Sequence, residues 1–247
     1  MVFSASLRTV SMSWRREGLS LTARKVFSAL RDPWFDLRYG TDTGGRVSTA
    51  AMSLSGPNVK HAVDYEPTSY HELRVLLRRL DLPGRGGSFV DFGCGKGRVL
   101  LLATEHEFDR VVGVEFSSQL AAVARANARR YCGSSAPRVE ILNEDAARYG
   151  FRDDETVLFF FNPFRDAVMR QVLDNLYESL RRRSRQVWII YSNPKCHPLF
   201  ESGGVFLKTS EHRLPRTRAF VYTNAGTDPT TARRSQAATM RSNGGPR

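Results

Sequence analysis

The stretch Asp91-Phe92-Gly93-Cys94-Gly95-Lys96-Gly97-Arg98 sets one carboxylate before three alternate glycines, with two cations interspersed. It runs from an apolar segment, Ser88–Phe92, into a segment from Gly97 to about Glu107 that reads as a helix. Glycines at such a turn let the backbone bend tightly and approach a ligand with no side chain between them. The helix that follows would offer unbonded N–H groups to an anion. A dinucleotide fingerprint would need glycine at position 98, where this chain has Arg98. Asp91 would repel a pyrophosphate and attract an ammonium. The pattern therefore points to a ligand bearing an ammonium, a carboxylate and a ribose.

Further candidates stand at the ends of the segments that follow. Glu115 closes Arg110–Glu115, 22 residues after Gly93, where a doubly wound fold sets an acid against ribose hydroxyls. Asp145, with Glu144 as its adjacent alternative, follows a strand over Arg138–Leu142. Asn162-Pro163-Phe164 closes the apolar run Thr156–Phe161. Ligands of open sheets bind outside the carboxyl ends of strands, so this tripeptide is expected to face the reacting group. Tyr191-Ser192-Asn193-Pro194 repeats the theme after Gln186–Tyr191. Upstream, Tyr65-Glu66-Pro67-Thr68-Ser69-Tyr70 leads into the helix that precedes the glycine loop, with Thr68 as a candidate cap and His71 at the capping-box position. Cys94 reads as a small packing residue. The three cysteines and five histidines show no ligand spacing, so no metal site and no disulfide framework are expected.

These residues need a scaffold, and its period is legible. Helices are expected over Thr68–Leu80 with Leu73, Leu76, Leu77 and Leu80 on one face, over Ser117–Tyr131 with a serine cap, and over Arg165–Arg183. They alternate with five strands, and two more, about Gly204–Glu211 and Arg218–Asn224, follow as a hairpin. The expected fold is α/β: a doubly wound, Rossmann-like sheet of about seven strands, mostly parallel, with an antiparallel C-terminal hairpin strand at the edge.

The 247 residues carry 37 Lys+Arg against 25 Asp+Glu, a net charge of +12. Residues 1–50 contribute eight basic and four acidic groups, and 225–247 contribute four and one. The expected organisation is a basic N-terminal extension over 1–50, with a short helix over 21–31 stopped before Pro33 and a turn-rich loop over Asp36–Gly45. A catalytic domain over 51–224 and a disordered basic tail over 225–247 follow. The densest basic run, Arg181-Arg182-Arg183-Ser184-Arg185, falls where a helix should end and where cations suit its dipole. Aromatic residues do not interleave with the basic ones as a stacking surface requires, so the charge allows a nucleic-acid contact without demanding one. No apolar run reaches the roughly 18 residues of a membrane span. A reduced, cytoplasmic setting is expected, with organellar import through the basic N-terminal segment left open.

Asp91-Phe92-Gly93-Cys94-Gly95-Lys96-Gly97 resembles motif I of the class I, seven-stranded S-adenosylmethionine-dependent methyltransferases, over roughly residues 60–224. The resemblance implies S-adenosylmethionine as cofactor. Its amino-acid end would be held by Asp91, Gly93, Gly95 and Gly97, its ribose by Glu115 and its adenine amine by Asp145. Asn162-Pro163-Phe164 is similar to the Asn-Pro-Pro-aromatic motif of amine-modifying members, with one proline instead of two. Tyr-x-Pro-Thr ahead of DxGxGxGR resembles a subgroup that includes protein-lysine methyltransferases. Asn162 and the Pro163 carbonyl would then orient the acceptor, with Phe164, Tyr65 and Tyr191 as walls, and the acceptor would be a protein amine. A small-molecule or RNA acceptor, a cofactor-binding module without chemistry, and a nucleotide-dependent oxidoreductase are the rival readings; the missing third glycine speaks against the last.

Overall fold

Two short segments rich in large apolar residues, Ser88–Phe92 (β1) and Glu155–Phe161 (β4), are long enough for strands and too short for helices. In the computed structural model they lie side by side at the centre of one sheet. The structure describes residues 32–52, 54–83, 87–133 and 138–224. Residues 1–31 of the expected basic extension, with the helix over 21–31, and the tail over 225–247 lie outside them.

The remaining strands are Arg110–Glu115 (β2), Arg138–Asn143 (β3), Trp188–Ser192 (β5), Phe206–Arg213 (β6) and Arg218–Asn224 (β7). Their order is β3-β2-β1-β4-β5-β7-β6, with the first five parallel. Alternation within β1 and β4 divides the core in two. Val90, Phe92, Leu158 and Phe160 face one cluster, and Phe89, Val157 and Phe159 face the other. Phe92 stacks on Phe160 at 5.0 Å between centroids.

The expected sheet is present, with one correction. The antiparallel strand is β7, and it is internal, paired to β5 on one side and β6 on the other. The side chains decide this: Ala219, Phe220, Val221 and Tyr222 are buried, whereas β6 is mostly exposed and carries Lys208, Glu211 and Arg213. A charged outer strand protects a sheet edge.

From residue 70 onward the α-helices among the described residues are Tyr70–Arg79 (α1), Arg98–Ala103 (α2), Ser118–Cys132 (α3), Asp166–Arg182 (α4) and His197–Ser202 (α5). Ser117 caps α3, accepting from the Leu120 N–H. In α1 the cap is Ser69, not Thr68, and it accepts from the Glu72 N–H. The capping pattern is thus Ser69-x-x-Glu72, one register later than read from the sequence. Beyond Ala103 the chain turns through i→i+3 bonds, Glu105 N–H to Leu102 O and His106 N–H to Ala103 O, so α2 is shorter than expected.

Residues 32–39 are helical, Pro33 included. A proline early in a helix lacks only an N–H that the first turn does not use, so it does not stop this one. Phe35 is buried, stacked on Tyr70 at 3.6 Å and near Tyr131 at 5.5 Å. Residues 32–50 thereby pack against α1 and α3.

Candidate active site

β1 has β2 on one side and β4 on the other, so the loops leaving β1 and β4 diverge and open a crevice at their carboxyl ends. A cavity of about 410 Å³ occupies it, within the size range of small-molecule sites. Its floor is the β1–α2 loop, with the Gly93 and Cys94 N–H groups both bonded to Val114 O. Its roof comes from residues 46–52 and 54–66, which add Met52, Leu54, Asn58 and His61 to the lining. Tyr65 is fixed there by a two-way backbone bridge to Val47 and by its hydroxyl donating to Thr43 O at 2.8 Å.

Gly93 and Gly95 line the cavity, and the glycines of the loop also make room for the chain's own residues. Gly93, Gly95 and Gly97 all take left-handed φ values, +75°, +55° and +85°. A Cβ on Gly93 would sit 2.4 Å from Pro163 Cβ, and one on Gly95 2.2 Å from the Tyr65 ring. The bare Cα atoms are therefore covered by the chain's own residues, which brings Pro163 and Tyr65 onto the loop. Gly97 packs toward Ala124 and does not line the cavity. Gly95→Ala is expected to lose about 2–4 kcal/mol of stability in urea unfolding, from left-handed strain and overpacking together. Gly40→Ala supplies the control: φ is +64° there with open space around it, so only the backbone cost should appear. Equal losses at the two positions would mean that the Tyr65 contact carries no weight.

Two acids face each other below the loop. Asp91 is 2% exposed, and its Oδ2 has no hydrogen-bond partner among the described residues. Burial, with the Glu115 charge nearby, holds its carboxyl well above the usual carboxylate range. Glu115 is anchored, with one oxygen accepting from the Gly95 N–H and the other from the Ser117 N–H, both at 2.8 Å. Burial raises its pKa as well, against those backbone donors. At the far wall Asp145 accepts from the Ala147 N–H at 3.0 Å and from Asn58 Nδ2 at 2.7 Å, tying the roof to β3's end. Glu144 also lines the cavity.

The opposite wall comes from β4 and β5. Asn162 and Asn193 follow paired residues, Phe161 and Ser192, and both line the cavity. Both hold positive φ, +43° and +51°, and both precede proline. A residue before proline normally avoids the helical regions, so each turn carries strain of about 1–3 kcal/mol. Pro163 and Phe164 line the cavity beside Asn162. Tyr191 does not. It is fully buried, with its hydroxyl accepting from the Cys196 N–H at 3.0 Å, and the alternation of β5 places it in the core. That corrects its expected place as a wall.

Arg98, read from the sequence as the missing third glycine, holds the roof's root. It is 3% exposed and donates to Asp32 Oδ2 (3.0 Å), Thr68 O (2.6 Å) and Thr43 Oγ1 (3.0 Å). Asp36 lies 3.7 Å away and the Tyr70 ring 4.3 Å below it. Asn127 works beside it, donating to Asp42 O and Lys96 O, both at 2.9 Å, while its own carbonyl accepts from the Asp42 N–H. No local pattern announces these contacts, since the partners lie 30–85 residues apart.

Among the described residues no group of three His, Cys, Asp or Glu is placed to hold a metal, and no helix is long and apolar enough to cross a membrane. The site does fit the cofactor implied by the resemblance: an orphaned buried carboxylate at Asp91 for an ammonium, and Glu115 and Asp145 spaced along the strand ends.

Residues 89–183 match the family described as methyltransferase domain. Over 82 residues the chain is 34% identical to ribosomal protein L11 methyltransferase of Tolumonas auensis, a stretch covering 33% of this chain and 27% of that protein. The chain thus spans about a quarter of the length of this curated relative. An RNA methyltransferase from Salinibacter ruber, solved with S-adenosyl-L-homocysteine, has the same fold, with TM-score 0.52 and 21% identity over 66% of this chain and 97% of that one. An S-adenosylmethionine-dependent O-methyltransferase from Thermotoga maritima gives TM-score 0.52 and 14% identity, over 66% and 68% of the two chains.

Proposed function

We propose that this chain, which carries a methyltransferase domain over residues 89–183, is an S-adenosylmethionine-dependent methyltransferase acting on an amine nitrogen. The observation that carries the reading is the unpartnered Asp91 carboxylate under a left-handed glycine loop, with Glu115 anchored beside it. When bound, S-adenosylmethionine supplies an electrophilic methyl group: a nitrogen–carbon bond forms as the sulfur–carbon bond breaks, and its electron pair returns to sulfur as a neutral thioether.

The chain's own residues position the nucleophile and exclude water. The strained Asn162 turn lines the cavity and offers an amide oxygen as acceptor for an N–H of a neutral amine, while the Ala62–Phe164 bridge ties the following residues to the roof. The amine must reach the site unprotonated or shed its proton to solvent. Residues 46–52 and 54–66 close the cavity above. A lysine amine on a protein is the second reading, favoured by the rings of Tyr65 and Phe164 in the cavity lining. It gains from the L11 methyltransferase match only by analogy.

Titration calorimetry with S-adenosylmethionine and its demethylated product is the test. Micromolar binding, about −8 kcal/mol, is expected for both. Failure of both to bind would overturn the reading.

A further inference from the structure

The cavity is divided by charge. Asp91, Glu115, Glu144 and Asp145 line the side formed by β1, β2 and β3, while Arg165 and Lys195 stand on the side formed by the ends of β4 and β5. Both cations are exposed, and neither side chain has an ion-pair or hydrogen-bond partner among the described residues. The cavity's other cations differ: Arg46 pairs with Asp64, and Arg98 is buried among its partners.

Arg165 and Lys195 line the same cavity from loops that are tied together. Cys196 Sγ lies 2.9 Å from Asp166 Oδ1 and 3.9 Å from Phe164 O, so the two cations flank a single contact between the β4 and β5 loops. Arg165 is also the N-cap residue of α4, a 17-residue helix with no side-chain cap, so the helix dipole adds positive potential there. The carboxylates nearby are Asp166, engaged by the Cys196 thiol, and Glu66, exposed at the rim. The side-chain amides of Asn162 and Asn193, also without partners among the described residues, line the same cavity.

We propose that Arg165 and Lys195 form an anion subsite of the acceptor pocket, so that the acceptor is a small molecule bearing a carboxylate or phosphate, with its nucleophile held by Asn162 and Asn193. This rests on the methyl-transfer reading above. A bare lysine amine would enter beside two cations and meet repulsion. A polynucleotide would need a basic track leading to the pocket. The densest basic run instead lies at the other end of α4, about 25 Å away at 1.5 Å per residue. There Arg181 pairs with Glu178, Arg182 with Asp153, and Arg185 donates to Glu155 O.

The test uses the full chain loaded with S-adenosylhomocysteine, whose binding is measured first in every variant. Affinity for that ligand within twofold of the parent keeps a failure of the subsite distinct from a failure of the methyl-transfer reading. Inorganic phosphate is then titrated at constant ionic strength against chloride. Phosphate is expected to raise the melting temperature of the parent, with at least tenfold weaker response in Arg165→Ala/Lys195→Ala and recovery in Arg165→Lys/Lys195→Arg. Equal response of parent and double alanine variant, or no response beyond chloride, overturns the proposal. Transfer of labelled methyl groups from S-adenosylmethionine to fractionated extract identifies the source. Label in small molecules retained by an anion exchanger supports the subsite, whereas label in protein, in RNase-sensitive material or in the unretained pool overturns it.

Discussion

Arg98→Ala is expected to cost about 3–5 kcal/mol of folding stability, the range for removing one partner of a buried ion pair. The guanidinium is almost fully enclosed and serves Asp32, Thr43 and the Thr68 carbonyl together while lying over the Tyr70 ring. Removing it leaves the buried Asp32 carboxylate without its cation. Arg98→Lys should recover little, because one ammonium cannot match a planar fork aimed at several acceptors. Urea unfolding measures the effect as a fall in midpoint at unchanged slope. Limited proteolysis adds the location: cleavage within residues 32–50 should appear in both variants before cleavage in the sheet. A lysine variant with parental stability would show that the charge alone, and not the fork, roots this segment.

Asp91→Asn is expected to pull stability and cofactor binding in opposite directions. Asp91 is raised by burial and by the Glu115 charge, so the folded chain holds a proton that the unfolded chain would release. The cost of ionising it in place is therefore absent below the ordinary carboxylate range and grows as pH rises through the elevated folded value. Asparagine removes that cost. At neutral pH the variant should melt a few degrees higher in the absence of ligand, with a flatter dependence on pH. Binding should move the other way. An ammonium prefers the ionised carboxylate, so affinity for S-adenosylmethionine should rise with pH and binding should release a proton. The variant should bind roughly 10- to 100-fold more weakly, as for loss of a charge-assisted hydrogen bond, and release none. Calorimetry in two buffers of different ionisation heat reads both quantities. Parental affinity in the variant would remove the ammonium from this carboxylate.

The parts of the fold that repeat locally were legible in the residues. The apolar runs of β1 and β4, the Ser117 cap and the DxGxGxG turn are all written within a few positions. The members of the cavity wall, Asp91, Glu115, Asp145 and Asn162, follow from a single rule about the carboxyl ends of strands. What escaped depends on distance along the chain. Arg98 looks like a defect in a glycine pattern until Asp32 and Thr43 are brought to it. Tyr65 looks like a member of a motif until the bridge to Val47 and the contact with Gly95 show it closing a roof. Tyr191 was misplaced for a simpler reason: period-two alternation puts it on the core side of β5, whereas Asn193 lies beyond the strand's end, where a left-handed φ of +51° breaks the alternation and brings it to the cavity. The helix over 32–39 was missed because proline was taken as a stop.

The clasp between Asp42 and Asn127 spans 85 positions, and that span has a meaning during synthesis. Ribosomes add about 5–20 residues per second, so the Asp42 loop waits about 4–17 s before Asn127 is made. Until then Phe35 has no Tyr131 to lie against and Lys96 lacks the α3 amide that holds its carbonyl. The segment that completes the pocket is among the earliest of the described residues to be made and among the last to find its place. A newly made chain therefore gains its glycine turn before its roof. For those seconds the exposed strands and aromatic rings of the N-terminal half are most open to capture by chaperones or to misassociation.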